Sequence, residues 1–302
     1  MISGLIVVRK EKGYTSNDVV QILRGILKQK KIGHTGTLDP DAEGVLPVCL
    51  GHATKLVEML TAQEKEYEAG LRLGLTTDTQ DISGKVTGTD RAVVTEEELC
   101  DAAAAFTGEY MQIPPMYSAI KIGGQKLYEI ARKGKEVDRP ARQVMIHSLE
   151  VTGFSYPDAS LRVCCSKGTY IRTLCHDIGQ KLGCGACMTT LVRTRSGRFT
   201  LDGALTLDEI KALVSDGSIL TRILSLEELL SEYPSVKVQS DTANRMLRNG
   251  NTLPAVELIP DGQGAGLSDA QLVRVYDIDG IMTAVYRYRK SDRSFKAYKM
   301  FI

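Results

Sequence analysis

The sequence has little of what would send a protein to a membrane, out of the cell, or to a partner chosen by bulk charge. No apolar run approaches the roughly 20 residues that a membrane-spanning helix needs. The start, Met1 to Arg9, lacks the basic-then-apolar layout and small-residue cleavage site of a signal peptide. A cytoplasmic protein is expected. The net charge of +1 implies no partner by itself. There are no internal repeats and no low-complexity tract. The seven cysteines are odd in number and irregular in spacing, which suits reduced thiols rather than a disulfide framework. Cys184-Gly185-Ala186-Cys187, with Cys175-His176 nearby, invites a zinc reading. A second Cys-x-x-Cys is missing, and Cys175-His176 lies in a helical pattern rather than a ribbon turn. Buried thiols beside a glycine turn are the simpler reading, and no metal is expected.

What is present is ordinary for a globular chain: 302 residues, 43% hydrophobic and 25% charged, enough for one large domain and a smaller one. Gly4–Arg9 reads as a first strand. Thr15 to Asp18 offers a capping box before Val19, Val20, Leu23, Ile26 and Leu27 at helical spacing. Lys28, Lys30 and Lys31 follow where cations suit a helix C-terminus and could meet phosphate. Leu46–Leu50 reads as a short strand and Thr54–Leu60 as a helix. In Glu66–Leu75 apolar residues alternate with polar ones, which predicts a half-buried strand with Tyr67 on its core side. Asp78–Asp90 reads as loop and turn. Helices are predicted from Thr95 to about Phe106, around Lys126–Lys133, from Ile171 to Leu182, and at Thr206–Val214 and Leu226–Leu230. Val144–Phe154 and Leu161–Cys165 should pair, and Leu191–Gly197 should be a further strand. Character changes at Tyr233-Pro234, where a boundary is expected.

Charge is uneven along the chain. Lys121–Arg142 holds seven Lys/Arg and three acids, while 207–232 is acidic. Tyr286–Lys299 interleaves six cations and one acid with four aromatics. That pattern fits a half-exposed edge strand or an RNA-binding surface.

Residues 33–47 read Gly33-His34-Thr35-Gly36-Thr37-Leu38-Asp39-Pro40-Asp41-Ala42-Glu43-Gly44-Val45-Leu46-Pro47. Three glycines and two prolines argue that the stretch holds neither a helix nor a central strand. Pro40 pushes Asp39 toward an extended backbone that can project its carboxylate. On local chemistry alone, an Asx-type turn in which Asp39 serves its own backbone is the simpler account.

This run, followed by Gly51-His52-Ala53-Thr54-Lys55, resembles the active-site motif of the bacterial TruB family, which makes pseudouridine from uridine 55 of the tRNA T-loop. The resemblance covers residues 1 to about 230 well and is loose beyond. It implies an α+β fold: a pseudouridine-synthase mixed β-sheet with flanking helices over 1–233, then a small PUA-like β domain over 234–302. The Pro114-Pro115-Met116-Tyr117-Ser118-Ala119 and Lys126-Leu127-Tyr128-Glu129 words resemble the family's RNA-gripping insert, here about 114–142. Ser166-Lys167-Gly168-Thr169-Tyr170-Ile171-Arg172 is likewise a family word. By this resemblance Asp39 is the catalytic carboxylate, Tyr67 the second active-site residue, and Arg172 the partner of Asp39. His34 takes the place of the flipped base, Tyr170 and Leu191 hold the base, and Lys55 contacts phosphate or the pocket. Arg172 on a helix's first turn also meets the unfavourable end of the helix dipole, which asks for an anionic partner. No cofactor and no metal are implied. The partner is a tRNA T-stem-loop, with no membrane, no obligatory protein partner and a monomeric enzyme expected.

Two positions depart from the family pattern. Arg9-Lys10-Glu11 stands where Asp-Lys-Pro is usual, which bears on the support of Tyr67, and Val192 replaces a common arginine. The rival readings are a non-catalytic RNA-binding protein and a guide-RNA-dependent relative that needs protein partners. An intact Asp39, Tyr67 and Arg172 set argues against the first, and activity of the chain alone on tRNA would exclude the second.

Overall fold

Both faces of the first strand are apolar, and both are covered. The computed structural model describes residues 1–261 and 266–302. Its main sheet has nine strands: β1 (Gly4–Lys10), β2 (Ile32–His34), β3 (Glu43–Leu50), β4 (Lys65–Leu73), β5 (Gly108–Gln112), β6 (Arg142–Ser155), β7 (Asp158–Cys165), β8 (Ala186–Ser196) and β9 (Phe199–Thr200). The order is β1-β3-β8-β4-β7-β6-β5, with β2 on β3 and β9 on β8. All these pairs are antiparallel except β3 with β8, so the sheet is mixed.

Ile6 and Val8 of β1 pack with the helix Ser16–Leu27 and the helix Leu207–Ser215. Leu5 and Val7 point the other way, into a cluster with Val45, Leu56, Met282, Val285 and Phe301. The last three belong to the C-terminal part, whose six-stranded sheet runs from Ser235 to Met300. The two sheets thus share a core, and cutting the chain at 234 would bare it. A third cluster lies under the helices Glu96–Ala104 and Ile171–Leu182 and holds Tyr67, Leu71, Leu161, Leu174, Ile178 and Leu191.

The α+β expectation is met, with local differences. Thr54–Leu60 is not one helix: a 3-10 turn, Gly51–Leu56, runs into the five-residue helix Val57–Thr61. The last strand of the β4 run stops at Leu73, where Gly74 turns at φ +76°. β8 begins at Ala186, before Leu191. β3 begins at Glu43, before Leu46, and carries Pro47 between β1 and β8, so the end of 33–47 does hold a central strand. The helix Asp241–Arg248, capped by Ser240, was not expected, because its polar sequence offers few apolar positions to mark a face. Among the described residues, no helix is long and apolar enough to cross a membrane.

Candidate active site

The loop carrying Asp39 is pinned from two sides. Ser16, in the first turn of the first helix, accepts from the Leu38 N–H at 2.9 Å and donates to the Leu38 carbonyl at 3.3 Å. Lys10, at the end of β1, donates to the carbonyls of Pro40 (3.1 Å), Ala42 (2.5 Å) and Glu11 (3.0 Å). Both side chains are almost fully buried. Burial pulls Lys10 down to about 8, against the opposing pull of Glu43, Asp39 and Asp41. Asp39 is thereby held between two fixed neighbours, Leu38 and Pro40.

Arg172 comes to it from the second residue of the helix Ile171–Leu182. Arg172 is 5% exposed. Its Nη2 lies 3.3 Å from Asp39 Oδ2 and 3.4 Å from Oδ1, and Nη1 lies 3.7 Å from Asp81 Oδ2. Nη2 also donates to the Tyr117 carbonyl at 2.6 Å. Burial raises the Asp39 carboxyl above its ordinary value, with Asp81 and Asp41 adding to the rise and Arg172 and Lys10 opposing it. The Asp39 side chain keeps 40% of its surface open, so a crowded carboxylate remains accessible from outside. Such a group can meet a ligand and stabilise positive charge on it.

Tyr67 sits on β4 opposite Arg193 of β8, and its phenol is raised by burial and pulled back by the Arg193 charge. Arg193 is buried like a core residue. Its Nε donates to the Val45 carbonyl at 2.7 Å and its Nη2 to the Gly36 carbonyl at 3.3 Å, which ties the Asp39 loop to Tyr67. The close approach of β3 and β8 needs a glycine here. Gly44 has φ +108°, and a Cβ on it would stand 2.2 Å from the Arg193 carbonyl oxygen.

Of the other expected residues, Leu191 shares the buried cluster of Leu38 and Tyr67. Tyr170 caps the Arg172 helix, and its ring lies under the guanidinium at 5.9 Å. His34 ends β2, and its Nδ1 accepts from the Gly36 N–H at 3.3 Å. Burial first and the Arg193 charge second lower its pKa, so it is neutral at pH 7. Lys55 is not brought to this group. Its Nζ donates to the Ile302 carbonyl at 3.1 Å, at the seam with the C-terminal sheet, with Lys31 and His52 as basic neighbours. Glu11 is exposed, and Tyr67 lies against Arg193. Val192 lies on β8 between Leu191 and Arg193, paired with Glu43 and Glu68.

Sequence reasoning missed Arg193, Lys10 and Asp81. The first two left a signal: Arg193 has the strand parity of core Leu191, and Lys10 that of Ile6 and Val8. A charge at a core-facing position asks for a buried partner. Asp81 makes an isolated bridge to Met188 of β8 and left no such mark.

Cys175, Cys184 and Cys187 are buried, and burial raises all three thiols, Cys175 to about 12. Among the described residues no three His, Cys, Asp or Glu side chains are grouped as a metal would need.

Two family models match in succession. "TruB family pseudouridylate synthase (N terminal domain)" covers residues 24–171, and "tRNA pseudouridylate synthase B C-terminal domain" covers 172–231. Asp39 and Tyr67 fall in the first match, Arg172 and Arg193 in the second. The chain is 44% identical to the tRNA pseudouridine synthase B of Lachnoclostridium phytofermentans, with 100% of both chains covered. It is 42% identical to that of Clostridium tetani over the same full coverage. Among solved structures, a Cbf5-Nop10-Gar1 complex matches 99% of this chain and 85% of its own at 29% identity and TM-score 0.73. A chain of an H/ACA RNP bound to a substrate RNA containing 2′-deoxyuridine matches with the same coverage at 26% identity and TM-score 0.72.

Proposed function

The chain belongs to the TruB family of pseudouridylate synthases, and from that premise we propose that it isomerises uridine 55 in the T-loop of tRNA to pseudouridine. It is a pseudouridine synthase, and its relatives named tRNA pseudouridine synthase B support tRNA as the substrate. The observation that carries the mechanistic reading is the contact of Arg172 with Asp39, with the charge of Asp39 also felt by Tyr67, which is paired with Arg193.

In this reading the uridine is flipped out of the loop, at a cost of a few kcal/mol. The bond from C1′ to N1 breaks with its electron pair left on the base, the uracil turns, a C1′–C5 bond forms, and the C5 proton leaves while N1 takes one up. Cleavage gives the sugar oxocarbenium character, which one carboxylate near C1′ can stabilise or trap, as in retaining glycosidases. Asp39 is that carboxylate. Arg172 keeps it ionised and aimed, against the burial that favours its protonated form. Tyr67 stacks on the base and assists removal of the C5 proton. His34 fills the place of the flipped base, and Tyr170 and Leu191 hold the base. Lys55, at the seam of the two sheets, meets phosphate rather than the base. Residues 1–233 make the catalytic domain with its insert at about 114–142, and 234–302 bind RNA.

The purified chain, alone and treated exhaustively with a chelator, should convert a T-stem-loop RNA fully, with the product mapped to position 55. Conversion only after zinc is restored, or only with added protein partners and guide RNA, would overturn the reading.

The C-terminal contribution has its own test. Arg287 and Lys296 are cross-strand neighbours, both exposed, with the Arg287 guanidinium 5.0 Å over the ring of exposed Tyr298. Because the two sheets share a core, charge reversal serves better than truncation. Arg287→Glu with Lys296→Glu should weaken tRNA binding and reduce the salt slope by roughly two phosphate contacts. An unchanged slope would remove this face from the RNA interface.

A further inference from the structure

β5 ends in Gln112, a polar side chain only 1% exposed. Its Oε1 accepts from the Tyr170 N–H at 2.8 Å, and its Nε2 donates to the Tyr170 carbonyl at 3.0 Å. One amide thus grips both backbone groups of a residue 58 positions away. Tyr170 is the cap residue of the helix Ile171–Leu182, and it makes no side-chain cap bond. The helices that follow Thr15, Thr95, Thr206, Ser225 and Ser240 are started by their own hydroxyls. Here the start of the helix is held from across the fold.

Arg172 is two residues on, and its contacts are unequal. Its oxygens on Asp39 are 3.3 and 3.4 Å away, long for a charge-assisted pair, which is normally about 2.7–2.9 Å. The bond to the Tyr117 carbonyl, at 2.6 Å, is much the shorter. Asp39 therefore does not fix the guanidinium. The helix start and the Tyr117 carbonyl do, and both are held by one stretch, 112–117, where β5 gives way to the insert. Gln112 is flanked by the Tyr110–Asp177 pair and, on β6, by Arg142.

We propose that Gln112 is a positioning residue for the reaction: by clamping the Tyr170 backbone it sets the Arg172 guanidinium over Asp39 and the Tyr170 ring beside the base. This rests on Asp39 and Arg172 acting as assigned above. Gln112 touches no reacting atom and works through the helix start.

Gln112→Met keeps the length of the side chain and removes both hydrogen bonds. At saturating T-stem-loop RNA its single-turnover rate should fall at least about tenfold while the Kd for that RNA stays within about twofold of wild type. The acid limb of its pH–rate profile should move to higher pH. Arg172 opposes the rise of the Asp39 carboxyl, and with its hold loosened, burial, Asp81 and Asp41 act against Lys10 alone. Tyr67 and Tyr170 also feel the Asp39 charge, and neither is ionised at the pH of that limb. A purely structural role would lower the melting temperature and leave the acid limb in place. Should the Met variant not fold, Gln112→Asn, which draws the same amide back by one carbon, is read by the same two measurements. A folded variant with wild-type rate, or a slow one with an unmoved acid limb, overturns the proposal. If Asp39→Asn still makes product, the assignment beneath it fails instead; if Asp39→Asn is inert and Gln112→Met is normal, only the role of Gln112 is lost.

Discussion

Asp39→Asn should bind a T-stem-loop RNA within about twofold of wild type and form no detectable pseudouridine, a loss of at least about four orders of magnitude. The substitution keeps shape and most hydrogen-bonding capacity. What it removes is the negative charge that the proposed mechanism places near C1′, and with it a carboxylate able to bond there. Binding should survive because the phosphate and stacking contacts lie elsewhere. Stability should change little. Arg172 loses its ionic contact to Asp39 but keeps the Tyr117 carbonyl and Asp81, so its charge is not left alone in the interior. The same chemistry sets a pH dependence in the wild type. The Asp39 carboxyl lies above the ordinary carboxylate value, so activity present at neutral pH is lost as pH falls through that raised value. The Asn variant shows no such limb. Mass-spectrometric detection of product from the variant would take Asp39 out of the mechanism.

Most of the main sheet and its helices could be read because they follow simple local signals: strict alternation in β4, helical spacing after Thr15 and Ile171, and hydroxyl caps at Thr15 and Thr95. The helix Asp241–Arg248 escaped because polar residues dominate it. The position of Asp39 in a motif, and the need of Arg172 for an anion, were also visible in the sequence. What could not be read was how the site is supported. Lys10, Ser16, Arg193 and Gln112 act across 22 to 157 positions of chain. No local pattern encodes such pairings, because each depends on which strands lie side by side. The parallel pairing of β3 with β8 sets Arg193 against Gly44, and nothing near either residue announces it. Lys55 is the opposite case. It belongs to a legible motif, yet its side chain reaches the chain's far end at Ile302.

Tyr67→Phe should retain RNA binding and lose about two to three orders of magnitude in the chemical step, the range expected of a group that handles a proton in the transition state. The ring, and with it packing in the cluster of Leu71, Leu161 and Leu191, is kept. Only the hydroxyl goes. In the wild type that hydroxyl lies between opposing influences, burial favouring the neutral phenol and Arg193 favouring the phenolate. Arg193 is thus suited to stabilise negative charge on the phenol, as the proposed assistance to C5-proton removal would require. Losing the hydroxyl leaves Arg193 with its bonds to the Val45 and Gly36 carbonyls, so the cost in stability should be modest, about 1 kcal/mol. Single-turnover rates with RNA labelled by deuterium or tritium at C5 divide the effect further. If Tyr67 acts on the proton, release of the label should be slowed more than cleavage of the glycosidic bond. Equal slowing of both would make the phenol a binding group, and turnover within about threefold of wild type would reduce it to packing.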